Sequence, residues 1–331
     1  MCKHYRRISV PAILLLCLAP RVPANDTEVT LAAGGLVPLK SPNIQMVSEK
    51  LEISVHRIRV DYVFRNISAQ DVNAVVAFPL PEVAGSDESP ITIPSKDPLN
   101  FMSFKVTVDG KAVSPRLLIR AVLPNGKDVT ERVRSLGLPL SVLDQRLDGA
   151  IQRLPDKERL RLEKDELLLT QEFEQPPGKK HESISPLWGT RVQFHWTQHF
   201  PAKGIVRVSH TYLPVVGGSY VTYGDDGHND VSRYCGNGAM LKQIKDVKAK
   251  LGKRQDEVEL WERNIKYILT TANNWKGPIE EFHLGINSDS SDDVVMTCMP
   301  LLRVSPTRYE MNASNFHPHR DLDLMILQPN R

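Results

Sequence analysis

Apolar and polar residues alternate over long stretches of this chain, the two-residue period of half-buried strands. Across 51–64, Leu51, Ile53 and Val55 share one parity, while Ile58, Val60, Tyr62 and Phe64 share the other. That change predicts a bulge or strand break at His56 and Arg57. Residues 66–70 read as a turn. A strand follows over 72–78, ended by Pro79 and Pro81, which cannot donate to a ladder. Phe104, Val106 and Val108 alternate into a hairpin turn at Asp109 and Gly110, with a return strand over 111–113.

From about residue 125 the period becomes helical. Asp128 and Glu131 sit at capping-box spacing and Gly137 fits a C-terminal stop. Ser141 opens a second expected helix. Its stripe is Leu143, Leu147, Ala150, Ile151 and Leu154, and Pro155 ends it. A third, charge-rich helix is predicted over 157–168, its charges forming a solvated face.

Strands resume over 188–216. Phe194, Trp196, Gln198 and Phe200 alternate, residues 201–204 turn the chain, and Val206, Val208, His210 and Tyr212 alternate back. Pairing Phe200 with Val206 puts both apolar sets on one face and sets His210 opposite Trp196, facing inward. Gly217, Gly218 and the loop 225–230 read as a unit boundary. Asp256 and Glu259 then predict a helix carrying Val258, Trp261, Ile265 and Ile268, ending near Asn274. Short strands are predicted over 281–286, 294–299, 308–312 and 322–327.

The expected class is therefore mainly β with helical insertions (α+β). A β-sandwich-like domain spans 25–222, with a helical insertion at about 126–168. A smaller helix-and-strand domain spans 231–331.

Residues 1–24 stand apart from this pattern. Lys3, His4, Arg6 and Arg7 precede an uncharged apolar run over 10–19, and Val22 and Ala24 occupy the −3 and −1 positions of a cleavage site. The expectation is an export signal, with Asn25 as the new N-terminus. The apolar core is about half the roughly twenty residues of a spanning helix. A lipoprotein signal at Cys17 wants a small residue where Leu16 stands. No later apolar run is long enough to span a bilayer.

Removing that segment changes the charge. The chain holds 42 basic and 39 acidic residues; four basic residues (Lys3, Arg6, Arg7 and Arg21) leave, so 38 stand against 39, a balance of −1. A near-neutral chain gives no support to nucleic-acid binding. Cys2 and Cys17 also leave, and the pair that remains, Cys235 and Cys298, reads as one disulfide in an oxidising compartment, with two buried thiols as the rival reading. There is no CxxC pair to make a metal site with them.

An ordered set of motifs carries a resemblance. It comprises Asn25-Asp26-Thr27 with Ala33-Gly34-Gly35-Leu36, Ile58-x-Val60-x-Tyr62-x-Phe64-x-Asn66 and Ala77-Phe78-Pro79-Leu80-Pro81. It continues with Phe200-Pro201-Ala202, Val208-x-His210-x-Tyr212, Asn274-Trp275-Lys276-Gly277-Pro278-Ile279 and Arg320-Asp321-Leu322. Together these resemble the bacterial domain-of-unknown-function family 4424, over nearly the whole chain after residue 24. The resemblance implies a secreted or periplasmic protein of a Gram-negative bacterium and brings no catalytic residues. The layout is also similar to the vault/inter-alpha-trypsin domain, a β-sandwich with a helical excursion, although here the helical stretch is longer.

Among residues that carry chemistry, His210 stands out as a polar residue on an apolar face. It reads as a hydrogen-bonded core histidine or as a general base near Asp225 or Asp226. No G-x-S-x-G nucleophile motif occurs. His195 and His199 share an outward strand face about 13 Å apart, too far for one metal ion. The acidic loops 225–230 and 287–293 lack EF-hand spacing and read as linkers. Trp275 and Lys276 are either a packing plug or a partner surface for a protein or glycan. Residues 78–81 read as a strand end, with a polyproline-like ligand as the rival. Nothing calls for a cofactor. The expected function is an exported envelope protein that binds or scaffolds without catalysis. The alternative is a periplasmic hydrolase of cell-envelope material using His210.

Overall fold

The parity change at His56 is a chain reversal, and the rest of the architecture is built around it. The computed structural model describes residues 27–32, 35–38, 41–85, 91–174, 180–218, 220–221, 232–250 and 260–330. The export segment 1–24, the boundary at 222–231 and the expected helix cap at Asp256 and Glu259 lie outside the described residues.

In chain order the strands are β1 (Thr27–Ala32), β2 (Gly35–Pro38), β3 (Ile44–Ile53), β4 (Ile58–Asn66), β5 (Val72–Pro79), β6 (Val83–Ala84) and β7 (Ile91–Thr92). β8 (Lys105–Val108), β9 (Lys111–Val113) and β10 (Arg116–Val122) lead into helices α1 (Thr130–Ser135), α2 (Leu147–Gln152) and α3 (Asp156–Lys164). Then come β11 (Leu168–Glu174), β12 (Lys180–Pro186), β13 (Gly189–Phe200), β14 (Ile205–Tyr212), β15 (Val216–Gly217) and β16 (Tyr220–Val221). Helix α4 (Gly238–Lys250) precedes β17 (Leu260–Tyr267), β18 (Ile279–Asn287), β19 (Val294–Thr297), β20 (Leu302–Ser305), β21 (Arg308–Phe316) and β22 (Leu322–Pro329).

The fold is mainly β. The largest sheet runs β20-β21-β18-β3-β4-β14-β8-β9. A second runs β10-β13-β5-β1-β2, and a third β19-β22-β17-β15-β7. Inward residues of all three, among them Phe64 and Tyr62 from the first, Phe194 and Trp196 from the second, and Tyr267 and Leu324 from the third, form one apolar core. β18 lies parallel to β3 with Leu284 opposite Leu51, so strands from both sides of the expected boundary share a sheet and a core.

Three expectations need correction. β13 and β14 do not pair. β13 pairs with β5, placing Phe200 against Val72, and β14 pairs with β4, placing Val206 against Phe64. Alternation fixes which face is buried, and the two apolar faces do meet, but across the sandwich, with the Phe64 and Phe200 rings 6.0 Å apart. The turn at 201–204 carries the chain between layers. Asn66, 1% exposed, holds that crossing by donating to the Phe200 carbonyl at 3.0 Å and the Gln70 carbonyl at 2.8 Å.

The stretch 260–267 is a strand, not a helix. It pairs with β22 over its whole length, and the tertiary ladder overrides an accidental helical spacing in a segment rich in aromatic and β-branched residues. The helix of this region is α4, which buries Ile244 and Val247 against Val294 and Met296. The insertion helices are also shorter than expected. Ser141 lies ahead of α2 with its hydroxyl on the Pro98 carbonyl, and Leu168 already belongs to β11. Gly137 closes α1 with φ +66°, as its position predicts.

Candidate functional site

His210 lies on β14 between Val60 and Val106 of the neighbouring strands and points into the sandwich. It is 0% exposed. The rings of Tyr62, Phe78, Phe104 and Trp196 stand around it with centroids 5.1–5.8 Å away. Burial pushes its pKa down to about 3, with the charge of Asp61 opposing weakly, so the ring is neutral at physiological pH. Trp196 is near it, as alternation predicts, but across the sandwich. A general base needs a path to the proton it takes, and this ring nest provides none. Asp225 and Asp226, its expected partners, lie outside the described residues.

A second buried polar group, not visible in the sequence, adjoins this nest. In β3 the register slips at Val47: Met46 faces Phe64 and Ser48 faces Val63. This bulge flips the parity, so Glu49 joins Leu51 and Ile53 on the inner face. Glu49 is 1% exposed. The Tyr267 hydroxyl donates to its Oε1 at 3.0 Å and meets the Tyr62 hydroxyl at 2.8 Å, while Glu49 Oε2 has no hydrogen-bond partner among the described residues. Burial raises the Glu49 pKa to about 8, against the lowering effect of the Tyr267 bond. Burial also raises the Tyr267 hydroxyl well above its usual value, helped by Glu49.

Trp275 is 4% exposed. It packs 4.6 Å from the Phe64 ring and 6.3 Å from the Phe200 ring, so its indole face is not available to a partner; of the Trp275–Lys276 pair only Lys276 is exposed. His195 and His199 do point outward. His199 meets Asn73 at 3.0 Å and Asp71 at 3.7 Å. Burial and the nearby Arg116 charge lower the His195 pKa. Among the described residues no group of three or more His, Cys, Asp or Glu side chains is gathered to hold a metal. Cys235 and Cys298 are disulfide-bonded, with Cα atoms 4.9 Å apart. The bridge joins the segment before α4 to the residue just after β19, clamping helix to sheet.

Space for a ligand lies elsewhere. The helical insertion has its own core, including Leu123, Val133, Ile151, Leu162 and Trp188. A cleft of about 690 Å³ opens between the β10 edge (Leu118, Ile119, Arg120) and the α1 segment (Lys127 to Arg134), floored by Asp165 and Leu167. Its charges are largely paired: Arg120 with Asp128 at 3.4 Å, Arg134 with Glu131 at 2.6 Å and Arg132 with Glu158 at 2.5 Å. Burial pushes Asp128 up, but bonds from Thr130 and the Arg120 charge outweigh it and hold it below the usual carboxylate range. A second cleft, about 480 Å³, lies between α2 and β12.

The outer face of the large sheet carries a salt-bridged cluster. Arg308 binds Glu52 through both guanidinium nitrogens and Glu310 at 2.9 Å, lying over Gly285, where an added Cβ would meet the guanidinium. The bond from Arg308 lowers the Glu52 pKa. Neither Glu49 nor this cluster has a sequence motif; only the Val47 bulge and the Gly285 register expose them.

Among the described residues no helix is long and apolar enough to cross a membrane. No curated protein matches the chain. Among solved structures, one described as a "putative nutrient binding protein" from Legionella pneumophila subsp. pneumophila is similar at 15% identity and a TM-score of 0.42, over 88% of this chain and 68% of that one. The family model for the domain of unknown function DUF4424 matches residues 24–325, and the chain belongs to that family.

Proposed function

We propose that this protein is exported to the cell envelope and works there by binding or scaffolding, without catalysis of its own. The observation that carries the reading is the Cys235–Cys298 bridge, a cross-link that persists in oxidising compartments and not in a reducing cytosol. It agrees with the signal-like residues 1–24. His210 sits in the ring nest, remote from solvent, so the hydrolase reading loses the base on which it was framed. Among the described residues, the cleft on the helical insertion offers open space for a ligand.

Expression of the full chain in a Gram-negative host tests this. The mature protein should begin at Asn25, and Cys235 and Cys298 should resist alkylation until reduced. Purified protein incubated with insoluble envelope polymers should be retained without releasing soluble fragments. Met1 still attached with both thiols alkylatable would overturn export, and soluble fragments would overturn the non-catalytic reading.

A further inference from the structure

We propose that the open edge of β10 is a strand-addition site for an extended peptide segment whose side chains read apolar–acidic–apolar. This rests on the binding reading above and names the partner class for its cleft.

The edge is half used by the chain itself. The Ala121 N–H donates to Thr130 Oγ1 at 3.0 Å and its carbonyl accepts from the Val129 N–H at 2.9 Å. Lys127 and Leu123 bond at 2.9 Å, and Val122 bridges Asp128 antiparallel. Residues 127–129 thus lie along β10 as a short added strand. Continued in that register, residues 131 and 133 would face Ile119 and Leu117. The chain instead coils into α1 at Thr130, and the diverging walls leave the 690 Å³ cleft.

The backbone direction follows from the ladder. β10 pairs with β13 in unbroken register from Arg116 to Val122. Backbone groups along an antiparallel strand point alternately to its two sides. Ala121 points away from β13, so Ile119 and Leu117 do too. The open stretch Arg116 to Arg120 is about 16 Å long at ~3.3 Å per residue. Leu117 there is 41% exposed although it lies on the inner face, opposite Phe194. Among the described residues no strand pairs with this stretch, and edges of this kind are templates for another strand.

The side chains choose the guest. Guest residues opposite Leu117 and Ile119 fall on the inner, apolar face. One opposite Leu118 falls on the outer face, with Arg116 and Arg120 as its diagonal neighbours, within reach of long side chains. Arg116 makes no ion pair within 4 Å among the described residues, and its charge is felt by His195. An acidic guest residue at that position is therefore favoured.

The probe is a fluorescein-labelled nonapeptide with Thr-Val-Glu-Val-Thr at its centre, titrated by anisotropy against the full mature protein. It should bind, and a Glu-to-Lys probe should bind about fivefold more weakly, from the diagonal pair with Arg116. N-methylation of the two central Val amides should abolish binding. Leu117→Pro removes an outward N–H and no bond to β13, so it should lose the probe while melting normally. Arg116→Glu should reverse the preference toward the Lys probe, which a merely damaged fold would not do. No binding by wild type, equal binding of the N-methylated probe, or an unchanged preference in Arg116→Glu would overturn the proposal. Retention of envelope polymers by a protein that ignores the probe would remove this site and leave the binding reading standing; loss of both would remove both.

Discussion

The ring nest around His210 and the cleft beside β10 divide the molecule's chemistry from its access. The nest and its neighbour hold the side chains that usually signal catalysis: a histidine, a carboxyl with a raised pKa and two facing tyrosine hydroxyls. All are sealed. The cleft is open, yet its walls are strand backbone and ordinary paired charges. A perturbed pKa in a closed core reports the cost of burial, and only one that borders a cleft points to function. Under the proposed binding reading, the informative feature is the β10 edge, which no second strand covers among the described residues.

The pH dependence of stability sharpens that contrast most. Burial lifts the Glu49 pKa from the usual 4.5 to about 8 in the folded protein. Its contribution is complete below 4.5 and is lost as pH rises through 8. Burial lowers the His210 pKa from the usual 6.5 to about 3 in the folded protein. Its contribution is complete above 6.5 and is lost as pH falls through 3. Each term is about 5 kcal/mol in full, but the two oppose and cancel between pH 4.5 and 6.5, so stability is nearly flat there and falls by about 2 kcal/mol on each side. Denaturant melts across pH should show this. Glu49→Gln should flatten the alkaline arm and His210→Leu the acid arm. An unchanged alkaline arm in Glu49→Gln would break the claim that the carboxyl is sealed.

Next in size is the cross-link. A loop closed across a sequence separation of 63 is worth about 4 kcal/mol in the chain-entropy model. Cys235→Ser with Cys298→Ser should lower stability by up to that amount, read as a shift in urea midpoint. Because the bridge ties the start of α4 to β19, in a different sheet from β10, probe binding should persist. Loss of binding alongside the bridge would couple regions held here to be separate.

Asn66→Ala should cost about 2 kcal/mol, since it removes the side-chain donor from the buried Phe200 carbonyl and one of the two donors from the Gln70 carbonyl. Differential scanning calorimetry reads this as a lower Tm. A neutral result would mean the crossing between layers is held by the backbone alone.

Much of the sandwich was legible because its strands keep one face buried. The reversal at His56, the turn at Asp109 and Gly110, the inward aim of His210 and the disulfide all follow from parity, turn chemistry and compartment. Partner choice does not. Phe200 and Val206 show the same alternation whether they pair or stack across a core. Spacings of three and four in 258–268 imitate a helix until β22 supplies a ladder. β10 escaped because Leu117, Leu118 and Ile119 are consecutive and erase the period. Glu49 escaped because a bulge sets its face, and bulges leave no mark in alternation unless both sides are long. For the site, sequence correctly pointed to His210 as inward and to Trp275 as a plug, the plainer of its two readings there. It gave no sign of the open edge, which is a property of where α1 begins.

The central claim, that the chemistry-bearing side chains are closed off from any ligand, is tested most directly at His210. Imidazole carbon-13 resonances of the mature protein, with His210 assigned by its absence in His210→Leu, can be followed from pH 8 to pH 5. The account predicts that the His210 signal stays at its neutral position throughout. A midpoint near 6.5 would contradict it, because that ring would be exchanging protons with solvent.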